Sequence, residues 1–212
     1  MGIAAVLAVR DGLIPRDLND KGTDQLKDML QDDDCFLPGR PRRIPELSLR
    51  AGLTASLGDP EPLRNGIDRS LNGQDNGWYG GPGQWVEYRF KKPEKIKLAR
   101  LIFDSDLNRL IRKEKLGPDV IVNGNDPAAV STREMRCCYP LDMEPRNVPA
   151  CMTRAFRIEA EDKRGKWAEV LRRDNNYQRL VQVPLNVETS ALRLVCEKTW
   201  GAEKAHVFAW DL

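Results

Sequence analysis

The stretch WVEYRFKKPEKIKLARLIF, residues 85–103, decides the fold class. Its two ends, Trp85 to Phe90 and Leu98 to Phe103, read with a period of two, while the middle, Lys91-Lys92-Pro93-Glu94-Lys95, is charged and turn-like. Successive side chains of a strand point to opposite faces, so each end predicts a strand with one face on a core and one in water. The same period fits Leu47, Leu49, Ala51 and Leu53 alternating with Ser48, Arg50, Gly52 and Thr54. It fits Ala155 to Glu161, Arg179 to Leu185, Ala191 to Glu197 and Ala205 to Leu212 as well. Glycine- and asparagine-rich clusters at Leu71 to Gly77, Gly80 to Gly83 and Lys163 to Gly165 punctuate these runs. Short strands separated by such turns, without alternating amphipathic helices, predict an antiparallel β-sandwich over residues 40–212. The region 112–148 mixes proline, glycine and charge and is read as a long irregular excursion.

Residues 1–39 differ in kind. Their apolar residues recur at helical spacing, and their 8 Asp against 4 Lys+Arg leave a net charge of −4. Met1 to Asp11 suits a helix ended by Gly12; Thr23 caps another, with Leu26, Met29 and Leu30 in one stripe. The chain thus divides into a helical segment, 1–39, and a β-sandwich, 40–212.

Across 212 residues, 34 Lys+Arg nearly balance 32 Asp+Glu, which argues against a nucleic-acid arm. The basic turns Arg40-Pro41-Arg42-Arg43 and Lys91 to Lys95 lack interleaved aromatics and read as solvated. The apolar run Ile3 to Val9 is too short to span a membrane. Five cysteines without CxxC spacing, beside one histidine, point away from zinc and towards a reducing, cytoplasmic setting. Neither a membrane nor a nucleic-acid partner is expected.

Candidate chemistry gathers in two places. Asn72 to Trp85, NGQDNGWYGGPGQW, sets Trp78 and Tyr79 among glycines; these rings can stack on a sugar or flat ligand while Asp75 and Asn76 supply hydrogen bonds. The alternative is that Trp78 plugs the core. After the strand ending at Phe103, Asp104, Asp106, Asn108 and Arg109 follow closely, read either as turn chemistry or as a ligand-facing rim or hard-cation site. The ligand-binding candidates are therefore Asp75, Asn76, Trp78, Tyr79, Asp104, Asp106 and Arg109. His206 falls in the last strand, where strict alternation puts it on the side of Phe208 and Trp210, and a packed or surface strand histidine is the favoured reading. No phosphate loop or GxSxG elbow occurs, and no catalytic or metal residue is assigned.

Two resemblances overlie this reading. NGIDR and NGWYGGPGQWVEYRFKKPEKIKLARLIFDS, within Asn65 to Ser105, are similar to the discoidin and coagulation-factor type-C domains of the galactose-binding-like superfamily, with FRIEAEDKRGKWAEV and the last strands as the closing part. That resemblance implies a mainly β jelly-roll sandwich and a possible carbohydrate partner. Residues 1–39, through Gly2, Ala4, Ala5, Ala8, Val9, Gly12, Pro15, Arg16, Leu18, Asp33, Asp34, Cys35, Pro38 and Gly39, resemble the end of the flavin-binding domain in a bacterial family of FAD-dependent oxidoreductases, and GWYGGPGQWVEYRF and LIFDSDLNR resemble that family's C-terminal sandwich, so the resemblance runs over nearly the whole chain. The second resemblance implies FAD, with Gly2, Ala4 and Ala5 beside the flavin if a missing or separate FAD-binding domain completes the site. Because no GxGxxG unit is present, it implies an accessory, non-catalytic C-terminal region that binds no cofactor alone. A stand-alone carbohydrate-binding module and a subunit completed in trans are the alternatives.

Overall fold

A computed structural model describes residues 41–70, 74–106 and 148–212. Among them run α1 (Glu46–Arg50), β1 (Gly52–Ala55), a 3₁₀ turn (Glu61–Arg64), β2 (Trp78–Gly80), β3 (Trp85–Phe103), β4 (Thr153–Glu161), β5 (Trp167–Arg173), β6 (Leu180–Thr199) and β7 (Ala205–Asp211). The seven strands form one antiparallel sheet in the order β2-β7-β3-β6-β4-β5, with β1 also on β3. The class is mainly β and antiparallel, as the alternation predicts.

β3 and β6 are the longest strands, and each runs through two parts of the sheet that share one core. β3 takes in both predicted strands and the charged middle; register shifts between Arg89 and Glu94 and between Ile96 and Leu98 absorb Lys91 to Lys95 without ending the strand. The first half of β3 pairs with β1 and the second half with β7. The two halves then meet across the core: Tyr88 packs on Trp210 with ring centroids 4.9 Å apart, and its hydroxyl donates to the Trp210 carbonyl at 3.0 Å. Val86, Leu101, Phe103, Phe156, Ile158, Leu192 and Leu194 complete this buried sandwich interior.

The face turned away from the core is held by charge. Arg89 pairs with Glu87 and Glu161, Arg157 with Glu159 and Glu197, and Arg172 with Glu169 and Glu197. Arg193 lies between the rings of Trp85 and Trp167, 4.0 and 3.9 Å from their centroids, and pairs with Glu87. Cross-strand neighbours of opposite sign give each polar position a partner, which the sequence shows only as alternation.

Three expectations are corrected. Leu47 to Arg50 are not strand: Pro45 starts a helix over Glu46–Arg50, and Arg64 Nη1 donates to the carbonyls of Ser48, Leu49 and Ala51 at 3.0, 3.4 and 2.9 Å. Those are the carbonyls a helix end leaves unbonded, so a distant arginine makes the short helix possible. Arg64→Met should therefore cost about 1–2 kcal/mol in thermal unfolding, with Arg64→Lys recovering only part; an unchanged melting temperature would show that the helix end is satisfied some other way. Arg42 is not a solvated turn residue, because it is buried against Asp68, Asp211 and the Leu63 carbonyl. Finally, His206, Phe208 and Trp210 do not share a face. Ile102 faces Ala209 while Phe103 faces Val207, so the strand carries an extra residue there and its parity changes: Val207 and Trp210 join the core, and His206 and Phe208 look the other way.

Residues 1–39, expected to be helical, and nearly all of 112–148, expected to be an irregular excursion, lie outside the described residues. No helix among those described is long and apolar enough to cross a membrane.

Candidate functional site

The site grows from the three-residue pairing of β2 with β7. Trp78 lies opposite Val207, Tyr79 opposite His206 and Gly80 opposite Ala205. Alternation then splits the pair into two faces. Trp78, Gly80, Val207 and Ala205 face the core; Tyr79 and His206 share the other face, with ring centroids 4.0 Å apart and planes within 12°. His206 is 1% exposed, whereas Tyr79 retains 45% of its exposure, so the imidazole is the buried floor beneath an open phenol ring.

Glycines explain why the sequence reads GWYGG here. A Cβ on Gly77 would stand 2.2 Å from His206 Nε2 and 2.7 Å from the Val207 carbonyl oxygen; one on Gly80 would stand 2.3 Å from the Trp78 ring. Only glycine lets the chain pass this close to both rings. Trp78 is 1% exposed, its indole N–H donates to the Leu57 carbonyl at 2.7 Å, and it presents no face to solvent.

Two carboxylates flank the imidazole. Asp104 Oδ2 is 2.9 Å from Nδ1, and Asp75 Oδ1 is 2.9 Å from Nε2. The Nδ1 contact is a hydrogen bond, in which the ring N–H must donate because a carboxylate only accepts. The Nε2 contact is close but off the line of a ring N–H, and Nε2 has no aligned partner. Asp104 has a structural task too: its Oδ1 accepts the Asp106 N–H at 2.7 Å, and its own N–H donates to the His206 carbonyl. Asp106 is exposed and sits in the left-handed region at φ 47°. Cys151 Sγ lies 3.6 Å from the Asp104 carbonyl. The Tyr79 phenol is pushed above its ordinary range, first by burial, then by its hydrogen bond to Asp75 and the charges of Asp75 and Asp104. It stays neutral and keeps a proton to donate.

Asn76 is buried and built into the loop: it accepts from Asn65 Nδ2 at 2.9 Å and donates to the Arg69 carbonyl at 2.9 Å. Of the residues that the sequence singles out, Asp75, Tyr79, Asp104 and Asp106 therefore gather at one end of β2, β3 and β7, while Asn76 and Trp78 support them from within. Arg109, Gly2, Ala4 and Ala5 lie outside the described residues. Sequence reasoning passed over His206 as the residue that joins the cluster. The available signal was only that it is the chain's single histidine; the parity that keeps it off the core comes from the extra residue in β7, which the sequence does not show. Among the described residues no group of three or more His, Cys, Asp or Glu side chains is placed to hold a metal ion.

No protein-family model and no curated protein sequence matches this chain. Solved structures similar to it include the family 32 carbohydrate-binding module of Streptococcus pneumoniae EndoD, at 14% identity and a TM-score of 0.47, covering 76% of this chain and 94% of that one. Another is the family 32 module of C. perfringens NanJ in complex with galactose, at 8% identity and 0.46, covering 77% and 93%. A third is chitosan-binding module 2 of a chitosanase/glucanase from Paenibacillus sp. IK-5, in complex with chitotriose, at 9% identity and 0.47, covering 78% and 98%.

Proposed function

We propose that this chain is a binding module whose site at the β2–β7 end takes a hydroxyl-rich ring ligand, a saccharide, on Tyr79. The observation that carries the reading is the open Tyr79 ring, stacked on a buried imidazole and bordered by Asp75 and Asp104. A phenol face held rigid by a ring beneath it gives apolar stacking area at little entropic cost, and carboxylates accept hydroxyl hydrogens around it. Asp106, exposed beside Asp104, extends the acceptor rim.

Binding of the purified chain to an array of glycans, followed by calorimetry on any hit, tests this. Tyr79→Ala is expected to weaken the hit at least about tenfold, and Tyr79→Phe, which keeps the ring, by less. A blank array, or a Tyr79→Ala variant that binds as well as the native chain, would overturn the reading.

The flavoenzyme-accessory reading rests on the resemblance of residues 1–39, which lie outside the described residues, and of GWYGGPGQWVEYRF and LIFDSDLNR. Visible absorbance of the purified chain with added FAD tests it separately. A bound-flavin spectrum would bring that reading back, and none would leave it without a cofactor site in this chain.

A further inference from the structure

We propose that His206 is the positioning residue of this site, holding Asp75 and Tyr79 in their binding arrangement through a charge contact that exists only while both ring nitrogens carry protons. The inference rests on the reading that Tyr79 and Asp75 form the binding surface.

The geometry fixes one proton and leaves one open. Nδ1 faces Asp104 Oδ2 at 2.9 Å and donates to it, so a neutral ring keeps its single proton there. An unprotonated, electron-rich Nε2 edge then stands 2.9 Å from the Asp75 Oδ1 carboxylate oxygen, which is repulsive. A second proton reverses the sign of that contact. Because the ring is 1% exposed, little water screens it. The groups around the ring are Asp75 and Gly77 from the segment before β2, Tyr79 from β2, Asp104 after β3, and Phe208 from β7 itself. Beyond them Cys151 touches the backbone of Asp104. Among these described groups no lysine or arginine compensates the two carboxylates. The Tyr79 phenol, raised by burial and by Asp75, keeps its proton.

Asp75 is the moving part. It is about half exposed, and it joins two groups: the Nε2 edge of His206 and the Tyr79 hydroxyl. When Nε2 loses its proton, Asp75 is repelled towards water and Tyr79 loses its hydroxyl partner. The stacked ring remains, but its orientation is no longer tied at the rim.

The test uses the full chain without ligand. A single histidine makes its ring nitrogen NMR signals unambiguous, and Tyr79→Phe assigns the Tyr79 ring signals. Over the pH range in which the His206 ring signals change, the Tyr79 signals of the native chain are expected to move with them; His206 signals that never change would overturn the proposal. In Asp75→Asn, His206 should still respond, and the Tyr79 ring, stacked 4.0 Å from it, should keep only the part of its shift that comes directly from the imidazole. Tyr79 signals that do not move in the native chain, or that move equally in Asp75→Asn, would overturn the proposal; unmoved signals in the native chain do so even should the variant fold poorly. With a saccharide in hand, affinity is expected to fall roughly tenfold as the His206 ring loses its second proton, read on the same sample by NMR, and to lose that dependence in Asp75→Asn. Binding without pH dependence would overturn the positioning role and leave the binding reading standing. Coupled NMR shifts in a chain that binds no saccharide would do the reverse.

Discussion

Gly77→Ala is expected to lower thermal stability by about 5–10 °C and to abolish the saccharide binding proposed for this site. The added methyl would stand 2.2 Å from His206 Nε2, 2.7 Å from its Cδ2 and 2.7 Å from the Val207 carbonyl oxygen, none of them the loose end of a flexible chain. The imidazole cannot yield, because Asp104 holds its far nitrogen and Tyr79 covers its face. Overpacking of this kind costs about 1–3 kcal/mol and sometimes more. The relief that remains is to push the Asp75–Gly77 segment off β7, which separates Tyr79 from its floor. Gly52→Ala is the control: its methyl would meet only the Arg89 carbonyl, at 3.6 Å, and should change little. Differential scanning calorimetry of the two variants checks the claim, and equal melting temperatures would refute it.

Arg42→Met should cost about 3–5 kcal/mol at neutral pH, the loss typical of removing one partner from a buried ion pair. Arg42 bonds Asp68 and Asp211 with its side chain 8% exposed and theirs 11% and 5%. The Asp211 carboxyl is raised above its ordinary value, by burial first, with Arg42 pulling it back down. A carboxyl raised in the folded state favours folding when protonated, and that advantage is lost as pH rises through its folded value. Without the guanidinium the carboxyl rises further, so the deficit of Arg42→Met should shrink as pH falls from neutral towards the carboxylate range. Denaturant unfolding of native and variant chains across that range reads the sign directly. A deficit that is constant or grows on acidification would show that Asp211 is not the stranded charge.

How far the sequence reveals this molecule depends on whether the cause is local. Trp85 to Phe90, Leu98 to Phe103, Ala155 to Glu161 and Ala191 to Glu197 are legible because a core lies along one face, and such burial writes a period of two into the chain. That the first two are a single strand is not legible, since a bulge can pass five charged and proline residues without breaking the ladder. β5, Trp167-Ala168-Glu169-Val170-Leu171-Arg172-Arg173, escapes notice because an edge strand with a charged outer face carries little apolar rhythm. α1 is set by Arg64, an agent outside the segment it stabilises. The site follows the same rule. Asp75, Tyr79 and Asp104 stand out by residue type and turn context, yet the histidine that joins them is 102 residues from Asp104 along the chain and comes beside it only through the pairing of β7 with β2 and β3.

The place of β7 in the sheet bears on how the protein is made. Residues 205–211 lie between β2 and β3, and both of those strands leave the ribosome long before their shared neighbour exists. Until β7 emerges, Tyr88 has no Trp210 to pack on, Trp78 has no strand opposite it, and the Tyr79 platform has no floor. Such late, long-range pairing slows folding and leaves apolar surface open during synthesis. The pairing of Tyr79 with His206 is therefore among the last features to form, after residue 211 has cleared the exit tunnel.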